Sequence, residues 1–295
     1  PIYHVHGLFV ALGCALMTGS KLKWLESFEV DSILKSLPEC TVMMGVPTYY
    51  TRLLTRDALD PELTNQIRLF ISGSAPLLEE TFNEFYKRTN HQILERYGMT
   101  ETNMNTSNPL KGERKPGTVG LPLQDVQVKI VDENNVILPE GEIGNIQIKG
   151  PNVFKGYWEM PDKTKEDFSE DKFFNTGDKG LIDEDGYLSI VGRSKDMIIS
   201  GGLNIYPKEI ESIIDKIDGV LESAVIGISD EDLGEKVVAI IVSEEGALLN
   251  KKEIIAEIKG QLAGFKAPKE VKLVEQLPRN AMGKVQKNIL RDSFN

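Results

Sequence analysis

Cysteine is scarce. Only Cys14 and Cys40 occur in 295 residues, and apolar neighbours surround both. Such a pair reads as two buried thiols rather than a disulfide or a metal site, which suits a reducing, cytoplasmic setting. Histidine is almost as rare, with three residues. His4 and His6 stand two apart in "YHVHGL"; on an extended segment they face opposite ways and make no metal pair by themselves. His91 reads as a surface turn residue. Long apolar runs are missing too. The longest near the start, "GLFVALGCALM", is too short to span a bilayer and has no charged leader or cleavage pattern, so nothing addresses a membrane. Basic charge is short, with 34 Lys and Arg against 45 Asp and Glu and a formal net charge of -11. No stripe of cations is available to neutralise a phosphate backbone, which argues against nucleic acid as a partner. There is no nucleophile elbow, no Cys cluster and no Gly-rich dinucleotide fingerprint opening a βαβ unit.

What remains is an ordinary soluble composition, 40% apolar and 27% charged, long enough for more than one core. From Gly7 to Gly98, "KLKWL", "TVMMGV", "IRLFISG" and "QILERYG" read as buried strands. Between them "VDSILKSLP", "PTYYTRLLTR" and "LLEETFNEFYKRT" have helical spacing. This is the βαβ rhythm of a parallel, doubly wound sheet. After Pro109 the pattern turns to short strands and turns, as in "VQVKIVDENNVILPEGEIGNIQIKG", and predicts a small antiparallel β subdomain. From "GRSKDMIISGG" onward helices and strands mix again, with "ESAVIGI" and "KVVAIIV" as strands and "KKEIIAEIKGQL" as a helix. The expected class is α/β: residues 1–194 form one domain (1–108 α/β, 109–194 mainly β), and 195–295 form a small mobile α+β domain.

Five stretches can carry chemistry. "LFISGSAPL" leaves a strand through Ser72, Gly73, Ser74, Ala75 and Pro76, small residues that let a ligand approach the backbone; a tight turn capped by Ser74 is the plainer reading. In "YGMTE", Tyr97 can offer a ring face, Gly98 a close backbone approach, Thr100 a hydroxyl for a phosphate oxygen, and Glu101 a carboxylate for a divalent cation. A polar loop with an incidental acid is the alternative. In "FFNTGDKG", Asp178 follows a glycine and can accept from a ribose diol, or simply close a turn. "GRSKDMIISGG" joins a strand to paired glycines through Arg193, Lys195 and Asp196, as a hinge would. "LPRNAMGKVQKNILR" presents Lys284 beside Gly283 near the C-terminus, where lysines are ordinarily solvated.

In this order "SGSAP", "YGMTE", "NTGD", "GRSKDMIISGG", "NIYPKEIE" and "PRNAMGK" resemble the adenylate-forming superfamily of acyl-CoA synthetases and luciferases. "YHVHGLFVAL", "MMGVPTYYTRLL", "LERYGMTETNMNTSNP" and "GPNVFKGYW" look most like its malonyl-CoA synthetases. The resemblance implies ATP-dependent activation of malonate to an acyl-adenylate, then transfer to coenzyme A. Tyr97 would stack on adenine, Thr100 hold a phosphate and Glu101 bind Mg²⁺. Gly73, Ser74, Ala75, Pro76 and Gly98 would line the nucleotide pocket, Asp178 and Arg193 hold ribose and phosphate, and Lys284 reach the acyl carboxylate and α-phosphate. His6, Ser72, Met104 and Arg52 would form the acyl pocket, with Arg52 the candidate to meet malonate's far carboxylate in desolvated surroundings; a solvated helix face is the alternative reading of Arg52. Gly201, Gly202 and Leu203 would line the CoA tunnel and Lys195 serve as the hinge. Residues 1–194 would then be the C-terminal portion of a large domain, because the relatives' Ser/Thr/Gly-rich phosphate loop lies upstream of "PIYHVHG" and no such run occurs here. Two alternatives stay open: a CoA ligase for another small or medium acid, and a non-catalytic fragment.

Overall fold

The first apolar run folds as a helix with i→i+5 hydrogen bonds at His6–Gly13, continuing as an α-helix at Cys14–Thr18 (α1). Gly19, at φ 66°, ends it in the left-handed conformation that a side chain resists. Two sequence expectations are overturned here. "YHVHGL" is not extended, and Cys14 is exposed, as are Leu8, Phe9, Leu16 and Met17. Apolar residues all round this segment cannot all face one core. Cys14 and Cys40 are both free thiols, and Cys40 is only partly buried.

The computed structural model describes residues 2–280 and 283–294. It contains two compact units, Pro1–Thr176 with Gly180–Ile190, and Gly177–Lys179 with Val191–Asn295. In the first unit helices Val30–Ser36 (α2), Pro47–Leu54 (α3) and Glu79–Thr89 (α4) alternate with strands Val42–Gly45 (β1), Leu69–Ser72 (β2) and Leu94–Met99 (β3). The three strands pair in parallel in that order. "KLKWL", expected as a strand, lies in none; Leu22 and Trp24 are exposed, so the run has no apolar surface to cover. One face of the sheet carries Tyr50, Leu53, Phe70, Phe82, Phe85 and Ile93. Tyr50 is fully buried there and its hydroxyl donates to Ile71 O at 2.6 Å, so the ring packs without stranding a polar atom. The opposite face is thinner, with Leu69, Ile71 and Leu94.

After β3 the sheet turns antiparallel through Asn103–Ser107 (β4) and the short Leu121–Pro122 (β5). A second sheet follows, built from Gln127–Val131 (β6), Gly144–Lys149 (β7), Phe174–Ile182 (β8) and Leu188–Arg193 (β9), with the helix Pro161–Asp167 (α5) between β7 and β8. The β6–β7 hairpin is antiparallel, and Asn135, at φ 63°, takes the left-handed position in the "DENN" turn.

The second unit holds Ile198–Ser200 (β10), Leu203–Ile205 (β11), Pro207–Ile214 (α6), Val220–Asp230 (β12), Gly234–Ser243 (β13), Lys251–Gln261 (α7), Glu270–Val274 (β14) and Lys287–Phe294 (α8). Its sheet runs β11-β10-β13-β12, with β14 pairing β13 in parallel. Alternate residues of β12 and β13 face opposite sides. Val225, Val237 and Ile241 meet Ile210, Ile214, Ile254 and Ile258 of α6 and α7, while Ile226, Val238 and Ile240 meet Leu290 of α8.

Candidate active site

Strand β2 ends at Ser72, opposite Glu95 of parallel β3, which runs on to Met99. Ligands of open α/β sheets bind outside such carboxyl ends. The chain leaves β2 through Gly73, Ser74, Ala75 and Pro76. A Cβ on Gly73 would stand 3.2 Å from Arg96 O and 3.5 Å from His6 Cε1, which leaves little room for a side chain. Ser74 has φ 71°, a left-handed conformation that costs a non-glycine residue about 1 kcal/mol or more. Its hydroxyl meets His6 Nδ1 at 3.2 Å. Ser74 does not cap the next helix as expected: Leu78 is the N-cap of α4, without a side-chain bond. Buried Glu95 instead fixes the loop, accepting from Leu77 N at 3.0 Å.

His6 is 8% exposed. Burial, the Arg96 guanidinium and His4 together hold its pKa down, to about 4, so the ring is neutral at physiological pH. Its Nε2 is buried without a hydrogen-bond partner among the described residues, and so are Ser72 Oγ and Arg96 Nε and Nη2. His91, expected on the surface, is partly buried: its Nε2 lies 3.2 Å from Thr64 O and its ring packs edge-on to Phe70.

The β3–β4 turn carries the polar residues of "YGMTE" and "TNMNTSNP". Gly98 is irreplaceable by geometry, because a Cβ there would lie 1.8 Å from Asn103 O and 2.7 Å from Met104 Cε. Thr100 is exposed at the tip and Met104 is half-buried. Half-buried Glu101 accepts from Tyr157 Oη at 3.3 Å, while its backbone carbonyl accepts from Phe154 N at 2.8 Å. Burial first, then Glu101 and Asp167, push the Tyr157 phenol up to about 12, so it stays a donor. Asn152 braces the same turn through Thr102 O at 2.7 Å and Met104 O at 3.0 Å. Tyr97 is 7% exposed, packed among Val119, Val126, Ile130 and Leu188, where an open ring face was expected. Arg52, expected in a desolvated pocket, is exposed in the last turn of α3, 6.0 Å above the Phe28 ring.

In the second unit Asp178 is 4% exposed and forms an ion pair with Arg193 Nε at 2.7 Å. Lys284 is half-buried in the same field. Burial and then Arg193 lower its pKa, and Asp178 opposes them. The Lys284 backbone N donates to Asn280 Oδ1 at 3.0 Å, and Gly283, at φ 77°, supplies the left-handed turn before it. Ala281 and Met282 of the same motif lie outside the described residues. Lys195 is exposed in the short turn Ser194–Asp196, whose Asp196 forms an ion pair with Arg291 of α8 at 2.8 Å. Gly201 and Gly202, at φ 58° and 77°, make the β10–β11 turn, which is followed by exposed Leu203.

The structure thus groups His6 with Gly73, Ser74 and Arg96, groups Gly98 with Met104, and groups Asp178 with Arg193 and Lys284. Gly201, Gly202 and Leu203 form a separate turn. Sequence reasoning missed Glu95, Arg96, Asn152 and Tyr157 as parts of the site, although all four lie in stretches it singled out. Among the described residues no three His, Cys, Asp or Glu side chains converge on a metal position, so Glu101 stands as a single candidate carboxylate. No helix there is long and apolar enough to cross a membrane.

A model of the AMP-binding enzyme family matches residues 1–158, more than half of the chain. The chain belongs to the AMP-binding enzyme family. The C-terminal domain model of AMP-binding enzymes matches residues 209–284, which run from α6 to Lys284. Among its relatives, the malonate–CoA ligase of Arabidopsis thaliana is 40% identical, over 100% of this chain and 53% of the relative. A mitochondrial malonate–CoA ligase of Bos taurus is 36% identical over 98% of this chain and 56% of the relative. The crystal structure of ATP-bound MatB from Rhodopseudomonas palustris superposes with a TM-score of 0.97 at 55% identity, covering 100% of this chain and 59% of that one. The chain therefore spans a little over half the length of the relatives it matches.

Proposed function

We propose that the full protein joins malonate to coenzyme A at the expense of ATP. The observation that carries this reading is 55% identity along the whole chain to ATP-bound MatB, together with a strand-end cluster suited to an anionic acid. In the first step a malonate carboxylate oxygen attacks the α-phosphorus of ATP and pyrophosphate leaves. In the second the CoA thiolate attacks the acyl carbon and AMP leaves.

Exposed Thr100 would donate to a phosphate oxygen, and the Gly73–Pro76 loop and Gly98 would let the nucleotide approach the backbone. Tyr97 would meet adenine along the part of its ring that protein leaves uncovered. Half-buried Glu101, oriented by Tyr157, suits a Mg²⁺ ion that takes most of its ligands from phosphate and water. Bound there, the ion would neutralise charge on the triphosphate. Asp178 and Arg193 would hold the ribose and phosphate, and Lys284 would bring positive charge to the acyl carboxylate and α-phosphate. Lys195 would be the hinge by which that lysine withdraws before Gly201, Gly202 and Leu203 guide the pantetheine. Neutral His6 would offer Nε2 to the acyl group. Free thiols suit a reducing compartment, and we place the activity in the cytoplasm.

Pyrophosphate release by the full protein across malonate, methylmalonate, butyrate and benzoate tests the reading. Malonate should give the highest kcat/KM. A monocarboxylate that outruns it would turn the assignment to a ligase for another acid. Coenzyme A binding without pyrophosphate release from any acid would favour a non-catalytic role.

A further inference from the structure

Lys284 sits on a segment that folds back on itself. Gln286 N donates to Pro278 O at 2.8 Å and Asn280 N to Lys284 O at 3.0 Å, while Arg279 and Val285 form an antiparallel bridge. Leu277 and Val285 anchor the base of this hairpin in the core that holds Ile226, Ile240 and Leu290. Lys284 itself is held by polar bonds. Both polar groups of the peptide between Gly283 and Lys284 are engaged: the Lys284 N–H donates to Asn280 Oδ1 at 3.0 Å, and Gly283 O accepts from Arg279 Nη1 at 2.5 Å. A peptide unit is planar, so bonds on its two edges fix its rotation and the direction in which the lysine side chain leaves. Gly283, at φ 77°, has the backbone freedom to rotate that peptide if either bond is missing.

Arg279 is held in turn. Its Nη2 forms an ion pair with Glu222 of β12, 57 positions away. The register of β12 shifts between Val220 and Glu222, the kind of irregularity that re-aims a side chain beside a functional site. Both partners are partly exposed, where an ion pair adds little stability, so what the pair supplies is place. We propose that Arg279 is a positioning residue for adenylation: braced by Glu222, it clamps the Gly283–Lys284 peptide and thereby aims the Lys284 ammonium. The proposal rests on the reading of the protein as an acyl-CoA ligase and names what holds its lysine in place.

In the full protein, Arg279→Met should lower kcat for acyl-adenylate formation about 10²-fold, the scale of a displaced catalytic group, and leave KM for ATP and malonate within about threefold. Thioester formation from supplied malonyl-adenylate should stay within the same small factor. Arg279→Lys keeps a donor and a charge and should recover part of the adenylation rate, while Glu222→Gln, which still accepts from Arg279, should cost less than Arg279→Met. Equal loss of both half-reactions, or adenylation by Arg279→Met within about threefold of wild type, would overturn the proposal. Amide exchange separates this failure from failure of the functional reading, because it needs no substrate. The Lys284 N–H should exchange about fivefold faster or more in Arg279→Met, the scale of one hydrogen bond, while the amides of β13 keep their rates. If the wild type turns over no acid yet the variant shows that local change, the clamp stands and the ligase reading falls. Unchanged exchange at Lys284 would remove the clamp whatever the activity, and faster exchange at Lys284 and β13 alike, in Arg279→Lys as in Arg279→Met, would make Arg279 a structural residue.

Discussion

The two units treat buried polarity in opposite ways. Among the described residues, every buried side-chain N or O atom without a partner belongs to the first unit, including His6 Nε2, Ser72 Oγ and the Arg96 fork. The second unit pairs its charges internally: Arg193 with Asp178, Lys266 with Glu209, Arg279 with Glu222, Lys287 with Glu211 and Arg291 with Asp196. An unmade buried hydrogen bond costs about 1–3 kcal/mol, so such atoms persist where something else is to meet them. On the proposed function, the second unit would be a self-contained carrier of Lys284. The first would be the unit whose unmet bonds meet a ligand.

The sharpest way to break this contrast is to disarm the carrier. Lys284→Ala removes one exchangeable cation from a unit whose cores do not include it. Acyl-adenylate formation should fall by about 10³-fold, the scale of one well-placed electrostatic group. Thioester formation from supplied malonyl-adenylate should stay within a fewfold of wild type. Equal loss of both half-reactions would mean that Lys284 supports the unit's structure rather than one step.

A smaller loss is expected on the receiving side. Glu101→Gln keeps the shape and the bond from Tyr157 but removes the charge. Adenylation should drop about 10²-fold, and higher Mg²⁺ should restore part of it. An unchanged Mg²⁺ dependence would leave Glu101 as a structural acceptor for the Tyr157 phenol.

Acid sharpens the comparison because the two units carry buried groups shifted in opposite directions. His6 is depressed from 6.5 to about 4, chiefly by burial. The unfolded chain therefore binds the extra proton first, and stability present above pH 6.5 is lost as the pH falls toward 4, about 3 kcal/mol in all. Asp215 in the second unit is raised from 3.8 to about 6, again chiefly by burial, and accepts from Ser223 Oγ at 2.6 Å. Its contribution is full below pH 3.8 and is lost as the pH rises through 6. Amide exchange in β3, followed from pH 7 to 4 in wild type and His6→Gln, should show acid-dependent opening only in the wild type. Asp215→Asn should flatten the opposite trend in β12. Parallel pH profiles for wild type and variant in either strand would remove that group from the argument.

Much of this was legible in the sequence where the backbone itself is the constraint. Strands β1 to β3 and helices α2 to α4 follow from apolar period alone, and "YGMTE" announces a turn that only Gly98 can make, given Asn103 O at 1.8 Å from any Cβ. What escaped reading depends on distant partners. Glu95 reaches Leu77 N across 18 positions, and Asn152 reaches Thr102 O across 50. No local pattern encodes either bond. "KLKWL" failed for a related reason: strand propensity is a statement about available neighbours, and exposed Leu22 and Trp24 have none to cover.

Arg52 gives the smallest expected effect and a case where the sequence did hold the answer. In α3 the buried residues are Pro47, Tyr50 and Leu53, at intervals of three. At 100° per residue Arg52 lies about 200° from Tyr50, on the far side of the helix. Its interaction with Phe28 at 6.0 Å is an exposed cation–π contact, worth about 0.5–1 kcal/mol. Arg52→Met should therefore change kcat/KM for malonate less than about fivefold, within that energy, and move butyrate by the same small factor. A malonate-selective loss of about 10²-fold or more at Arg52 would show that this exposed cation meets the acid in the full protein.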